Sequence, residues 1–169
     1  LADVTEDRLE TAMEVMGRNI DRQVRRGLID ELGKTEALHR IKTTTDYADF
    51  GDCDMVIEAA TENEAVKREV FAKLVPNLRA DAMIASNTSS ISITRLASST
   101  DRPGRFMGVH FMNPVPMMNL VELIRGIATE EETVAAFREV TQRLGKCPVS
   151  AEDFPAFIVN RILLPMINE

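Results

Sequence analysis

Apolar residues at Leu9, Met13, Met16, Ile20 and Val24 recur three or four positions apart, which places them on one face of a helix. The chain from about Thr5 to Arg26 therefore predicts one amphipathic helix. Thr5 is the expected N-cap, Glu6 and Asp7 fall where a helix N-terminus favours negative charge, and Gly27 is the expected stop. A shorter helix is expected over Glu36 to Ile41. Further on the pattern changes. Met55-Val56-Ile57-Glu58-Ala59 is a short apolar run, as in a strand buried on both faces. Asn63 to Leu74 predicts a helix capped by Asn63 and ended by Pro76. Ala82 to Ser86 is a second buried strand, followed by the polar turn Asn87-Thr88-Ser89-Ser90 and a short helix. Phe106 to Phe111 and Leu120 to Ile124 predict the third and fourth strands. Glu130 to Leu144 predicts a helix stopped by Gly145, Cys147 to Val149 a short strand, and Phe157 opens a last helix.

Strands separated by helices imply an α/β protein with a mainly parallel, doubly wound sheet. Leu1-Ala2-Asp3 reads like the end of a strand, and the helical pattern is still running at Glu169, so a fragment is expected.

Composition narrows the function classes. The 169 residues carry 20 Lys plus Arg against 27 Asp plus Glu, a net charge of −7 that argues against non-specific nucleic-acid binding. The apolar runs are far shorter than the roughly 20 residues of a membrane span. No secretory signal pattern is present. Two cysteines, Cys53 and Cys147, cannot make a disulfide framework, and a reducing, cytoplasmic compartment is expected.

In an open parallel sheet, ligands sit at the carboxyl ends of the strands. Glu58, Glu62, Ser86, Asn87, Ser89, His110 and Asn113 cluster there, although some could simply cap the following helices. His110 is one of two histidines and, alone, could equally be a core residue. Glu122 shifts the balance. If 106–111 and 120–124 form a hairpin centred near residue 116, His110 and Glu122 face each other, with Cβ atoms roughly 4.5–5.5 Å apart. A carboxylate on one imidazole nitrogen fixes the tautomer and raises the basicity of the other, as general acid–base catalysis needs. Arg18, Arg22 and Arg26, with Arg25 beside them, line one side of the first helix. They form either a solvated face or a docking strip for an anionic ligand.

No two of the eight glycines lie two residues apart, which excludes a G-x-G-x-x-G loop here; a G-x-x-x-x-G-K loop is also missing. Tyr47 is followed four residues later by Gly51, so a Tyr-x-x-x-Lys pair is absent. G-x-S-x-G is absent too, which makes a hydrolase built on Ser89 and His110 remote. The cysteines and histidines have no metal-ligand spacing.

The runs Ser86-Asn87-Thr88-Ser89-Ser90, His110-Phe111-Met112-Asn113-Pro114-Val115-Pro116, Leu120-Val121-Glu122 and Phe157-Ile158-Val159-Asn160-Arg161 resemble the L-3-hydroxyacyl-CoA dehydrogenase family, and in particular its short-chain bacterial members. The similarity extends over essentially the whole chain. It implies a Rossmann-like domain over 1–152, without its first strand and glycine-rich loop, and over 153–169 the first helix of a C-terminal helical domain that makes the homodimer. It implies interconversion of L-3-hydroxyacyl-CoA, with 3-hydroxybutyryl-CoA the expected substrate, and 3-oxoacyl-CoA by hydride transfer to NAD in fatty-acid or butanoate metabolism. In this scheme His110 is the acid–base residue, Glu122 orients it, and Ser89 and Asn160 hydrogen-bond the reacting oxygens. Asp3, Glu62, Lys67, Ser89 and Asn113 match cofactor-contact positions, and Arg22 and Arg26 match positions that meet the CoA phosphates. An acid at Asp3 favours NAD, since it would repel the 2′-phosphate of NADP.

The sequence departs from the family pattern at Met112, Asn119 and Ala156. Ala156 stands where the family has Gly, and would strain the turn before Asn160 if that position needs a positive φ. Without the phosphate loop the chain by itself is expected to bind NAD poorly, to expose a sheet edge, and to have little or no activity. The competing class is a non-catalytic binding or structural protein on the same scaffold, since the family includes a lens crystallin. The four polar residues His110, Glu122, Ser89 and Asn160, kept together, argue against it.

Overall fold

The structure, a computed structural model, describes residues 1–169. It divides into two compact units, Leu1–Asp49 and Phe50–Glu169.

The first unit holds α1 (Glu6–Arg25) and α2 (Glu31–His39). Thr5 is extended and its carbonyl accepts from the Leu9 amide at 3.3 Å, but its hydroxyl makes no capping bond. Leu9 is the buried anchor of the predicted apolar face. Gly27 ends the segment with φ 69°. The second helix starts at Glu31 rather than Glu36, because Asp30 caps it: its carboxylate accepts from the Gly33 amide at 2.7 Å. Its apolar periodicity is weak and Leu32 is 67% exposed, which hid this first turn. Ala2 bridges Thr44 in parallel.

The second unit is a five-stranded sheet in the order β1 (Met55–Glu58), β2 (Met83–Ser86), β3 (Phe106–Phe111), β4 (Leu120–Arg125), β5 (Cys147–Glu152). All neighbours run parallel except β3 and β4, which form the expected hairpin. Between strands lie α3 (Glu64–Leu74), α4 (Ile93–Ala97) and α5 (Glu131–Arg143), and α6 (Val159–Asn168) follows β5. Alternate residues serve opposite faces. Met83, Ala85, Met107, Val109, Val121 and Leu123 pack with Val134 and Phe137 of α5. On the other face Phe106 meets Phe71 of α3 edge-on at 5.2 Å, and Gly108 lies under Ile93 of α4. Helices thus cover both faces, and the sheet is doubly wound.

A side chain at Gly108 would place Cβ 2.7 Å from Ile93 Cδ1 and 2.9 Å from Ile124 Cβ, so this position needs glycine for close approach. The expectation of a strand buried on both faces holds for β2 but not β1. Ile57 is 40% exposed, since α5 packs mainly on β3, β4 and β5 and only Met55 of β1 reaches the cluster under it. The last strand runs to Glu152, beyond Val149, since its register with β4 continues to Arg125.

Candidate active site

The carboxyl ends of β1, β2 and β3 and the start of the antiparallel β4 meet at one edge of the sheet. Glu58, the last residue of β1, is buried and saturated. Lys67 Nζ of α3 lies 2.8 Å from both of its oxygens, Ser86 Oγ donates to Oε2 at 2.6 Å, and the Ala60 amide donates to Oε1 at 2.7 Å. The Lys67 ammonium is therefore turned inward, with 1% of the side chain exposed. It holds strand ends together and is not at the surface.

Glu62 organises the next layer. Its Oε1 accepts from Thr88 Oγ1 at 2.7 Å, the Ser89 and Ser90 amides at 2.9 and 3.0 Å, and Ser90 Oγ at 3.0 Å. Burial pushes this carboxyl's pKa up, but the hydrogen bonds from Thr88, Ser90 and Ser89 and the charge of Lys67 outweigh it, and the group lies below its ordinary range. The turn after β2 is thereby fixed, and Ser89 is left half-buried with a hydroxyl that makes no hydrogen bond within the chain. Asn87 locks the same turn to β3: its Oδ1 accepts from the Phe111 amide at 2.9 Å.

His110 and Glu122 are direct register partners on the hairpin. His110 Nδ1 lies 2.7 Å from Glu122 Oε2, with 8% and 1% of the two side chains exposed. The carboxylate accepts, so the proton sits on Nδ1 and Nε2 keeps its lone pair. The other oxygen of Glu122 accepts from the Ile158 and Val159 amides at 2.9 and 2.8 Å, where α6 begins. Asn160, in the first turn of α6, donates from Nδ2 to the Ser89 carbonyl at 3.2 Å. Four of the predicted residues, His110, Glu122, Ser89 and Asn160, are thus joined by one hydrogen-bonded frame. Asn113 is exposed on the β3–β4 loop, just after β3, and its peptide bond to Pro114 is cis.

Asp3, Arg22 and Arg26 belong to the first unit. Asp3 accepts from the Val4 amide at 2.7 Å and pairs with Arg8 at 3.5 Å. Arg22 and Arg26 are exposed along and just past the end of α1.

Sequence reasoning missed Asp153 and Phe157. Asp153 caps α4 from across the sheet, with Oδ1 accepting from the Ile93 amide at 2.9 Å and Oδ2 from Ser92 Oγ and the Thr94 amide at 2.7 and 2.8 Å. Burial raises its pKa, the hydrogen bonds from Thr94, Ser92 and Ile93 lower it more, and the net shift is downward. An acid closely following a strand was the available signal. The Phe157 ring meets the His110 imidazole edge-on, with centroids 6.2 Å apart.

The profile of the 3-hydroxyacyl-CoA dehydrogenase NAD binding domain matches residues 1–154. The chain belongs to the 3-hydroxyacyl-CoA dehydrogenase family. It is 57% identical over all 169 residues to 3-hydroxybutyryl-CoA dehydrogenase of Bradyrhizobium diazoefficiens, covering 58% of that protein. It is 44% identical over 165 residues to the fatty acid oxidation complex subunit alpha of Acinetobacter baumannii, covering 98% of this chain and 23% of that one. The crystal structure of (S)-3-hydroxybutyryl-CoA dehydrogenase from Ralstonia eutropha superposes with a TM-score of 0.96 at 44% identity, covering 99% of this chain and 59% of that one. The chain spans somewhat over half the length of these 3-hydroxybutyryl-CoA dehydrogenases. The family assignment explains why chemistry-bearing residues crowd one end of a doubly wound sheet: this is the end at which such sheets take nucleotides.

Proposed function

We propose that the protein oxidises the 3-hydroxyl of a short-chain L-3-hydroxyacyl-CoA, 3-hydroxybutyryl-CoA being the best candidate, and reduces the corresponding 3-oxoacyl-CoA in the reverse direction. The observation that carries this is the 2.7 Å contact between His110 Nδ1 and Glu122 Oε2, in a carboxylate whose second oxygen is already taken by two amides. His110 Nε2 accepts the hydroxyl proton, and Glu122 stabilises the imidazolium that results. In this reading the Ser89 hydroxyl and the remaining amide hydrogen and Oδ1 of Asn160 hydrogen-bond the reacting oxygen and hold its carbon for transfer; the bond from Asn160 Nδ2 to the Ser89 carbonyl, which ties the two residues together, supports it.

NAD, when bound, supplies the hydride acceptor. The donor set fits it: the free Ser89 hydroxyl and the exposed Asn113 amide are neutral hydrogen-bonding groups of the kind a carboxamide ring needs, and the Glu62-fixed turn offers rigid backbone beside them. Glu62 and Lys67 support that edge through the bonds described above. Asp3 would take the adenosine ribose, and Arg22 and Arg26 the CoA phosphates. A homodimer in the cytoplasm, serving fatty-acid β-oxidation or butanoate metabolism, is the matching setting.

The test is NADH formation from 3-hydroxybutyryl-CoA by the purified protein. His110→Gln is expected to lower kcat by about 10²–10⁴-fold without unfolding the sheet. Turnover that survives this substitution would overturn the proposal; a chain without the phosphate loop that makes no NADH is the outcome expected from its weak grip on the cofactor.

A further inference from the structure

Only two non-glycine residues in the chain have positive φ, and they are adjacent: Ala156 at 65° and Phe157 at 51°. Left-handed backbone is uncommon for any side chain other than glycine, and in a bulky residue it is an outlier that the surroundings must enforce. These surroundings are the acid–base pair. The Phe157 amide closes the turn on the Phe154 carbonyl at 2.9 Å, and the next two amides, of Ile158 and Val159, both end on Glu122 Oε1. The Arg161 amide then bonds the Ala156 carbonyl at 3.1 Å, so α6 launches straight from the turn.

We propose that the left-handed Ala156–Phe157 turn is the positioning element of the His110–Glu122 pair, acting through its backbone. The proposal rests on the acid–base assignment of His110 made above. A glutamate carboxylate rotates readily about its last torsion. With Oε1 held by two amides at the positive end of a helix, only Oε2 is left to face Nδ1, and it faces it in one orientation. The Nδ1–H tautomer is selected and Nε2 is kept open as the base. Without the turn, Ile158 and Val159 point elsewhere, the carboxylate turns freely, and the imidazole populates both tautomers. Phe157, 3% exposed and edge-on to the imidazole, is a positioning residue that touches no reacting atom in this scheme.

A side chain that merely fills the core makes the opposite forecast from a backbone that aims amides. Phe157→Gly removes the ring but adopts positive φ freely, whereas Phe157→Val keeps apolar bulk but resists positive φ because it is β-branched. The readout is the ring ¹⁵N spectrum of the His110 imidazole in the purified protein, at a pH about two units above the ordinary histidine midpoint, with His39 as the internal reference. The unaltered protein is expected to show one tautomer, protonated at Nδ1. Phe157→Gly retains it. Phe157→Val mixes the tautomers and lowers kcat by ~10-fold or more. Loss of the single tautomer in Phe157→Gly, or its retention in Phe157→Val, overturns the proposal. If Phe157→Val fails to fold, Ala156→Gly against Ala156→Val carries the same contrast, again with retention in the first and mixing in the second. The tautomer is read without turnover. Whether or not the unaltered protein makes NADH, the ring spectra therefore decide the role of the turn, and turnover that survives His110→Gln counts against the activity alone.

Discussion

Lys67 and Glu58 form a two-pronged ion pair inside the protein: Nζ lies 2.8 Å from each carboxylate oxygen, with 1% and 2% of the two side chains exposed. Both charges are out of water, so each is tolerable only because the other is present. Lys67→Met is expected to destabilise the fold by about 3–5 kcal/mol, since it leaves Glu58 buried without its counter-charge. The double variant Lys67→Met with Glu58→Gln should recover a large part of that loss. Denaturant unfolding of the three proteins checks this, and a double variant less stable than Lys67→Met alone would contradict it.

Glu62 gives the fold an acid-sensitive joint. Its folded-state pKa lies below the ordinary value of 4.5, through the hydrogen bonds from Thr88, Ser90 and Ser89 that outweigh burial. A depressed carboxyl pKa contributes stability that is fully present above the unfolded value and is lost as pH falls through the folded one. Glu62→Gln should therefore be less stable than the unaltered protein near pH 7, with the gap closing below about pH 4.5. Asp153, depressed below 3.8 by its bonds to Thr94, Ser92 and Ile93, should behave alike at somewhat lower pH as Asp153→Asn. Thermal unfolding across pH measures both, and a gap that stays constant into acid would refute the assignment.

Gly108 is a steric requirement, not a flexibility device. Ala at this position would place its methyl group 2.7 Å from Ile93 and 2.9 Å from Ile124, so Gly108→Ala should cost about 1–3 kcal/mol as α4 is pushed off the sheet. The shift in Tm measures it, and His110 two residues further along the strand should lose activity with it. An unchanged Tm would mean that Ile93 can move aside.

Ala156→Gly should work in the other direction. Relief of the left-handed strain, less the extra freedom glycine gives the unfolded chain, leaves a gain of roughly 0.5–1 kcal/mol. A lower Tm in this variant would mean that Ala156 contributes packing that outweighs its strain.

What the sequence made legible, and what it hid, follows from distance along the chain and from periodicity. His110 and Glu122 could be paired because a hairpin has a two-residue period and a short loop, which fixes which residues oppose each other. The observed register, His110 against Glu122, is the one the turn centre implied. The long apolar stripe of α1 and the stop at Gly27 were legible for the same reason, one dominant period. Thr5 stands at the N-cap as expected, though without a side-chain bond, while the first turn of α2 and the open face of β1 were misjudged. Each depends on what packs nearby, not on the local pattern. Glu62 could be placed near the strand ends, but not its grip on residues 88–90, because its loop and that turn meet only through the pairing of β1 with β2. Asp153, 59 to 61 residues from its partners on α4, left no local trace beyond its charge. The turn at Ala156 was legible in part: alanine in a glycine place signalled strain, while the amides it aims at Glu122 did not show.

The reversal at β4 has a consequence for how this domain can change. Strands β1 to β3 share one direction, so their right-handed crossovers place α3 and α4 over the face that carries Glu58, Ser86, His110 and Glu122. Once β4 turns back, the crossover through α5 goes to the opposite face, where Val134 and Phe137 meet only the odd-numbered core residues. One sheet therefore has a working side and a bearing side. Substitutions beneath α5 act first on stability, since their side chains point away from His110 and Glu122. Those beneath α4 alter stability and chemistry together, because Ile93 rests on Gly108, on the same face of the sheet as the His110 side chain.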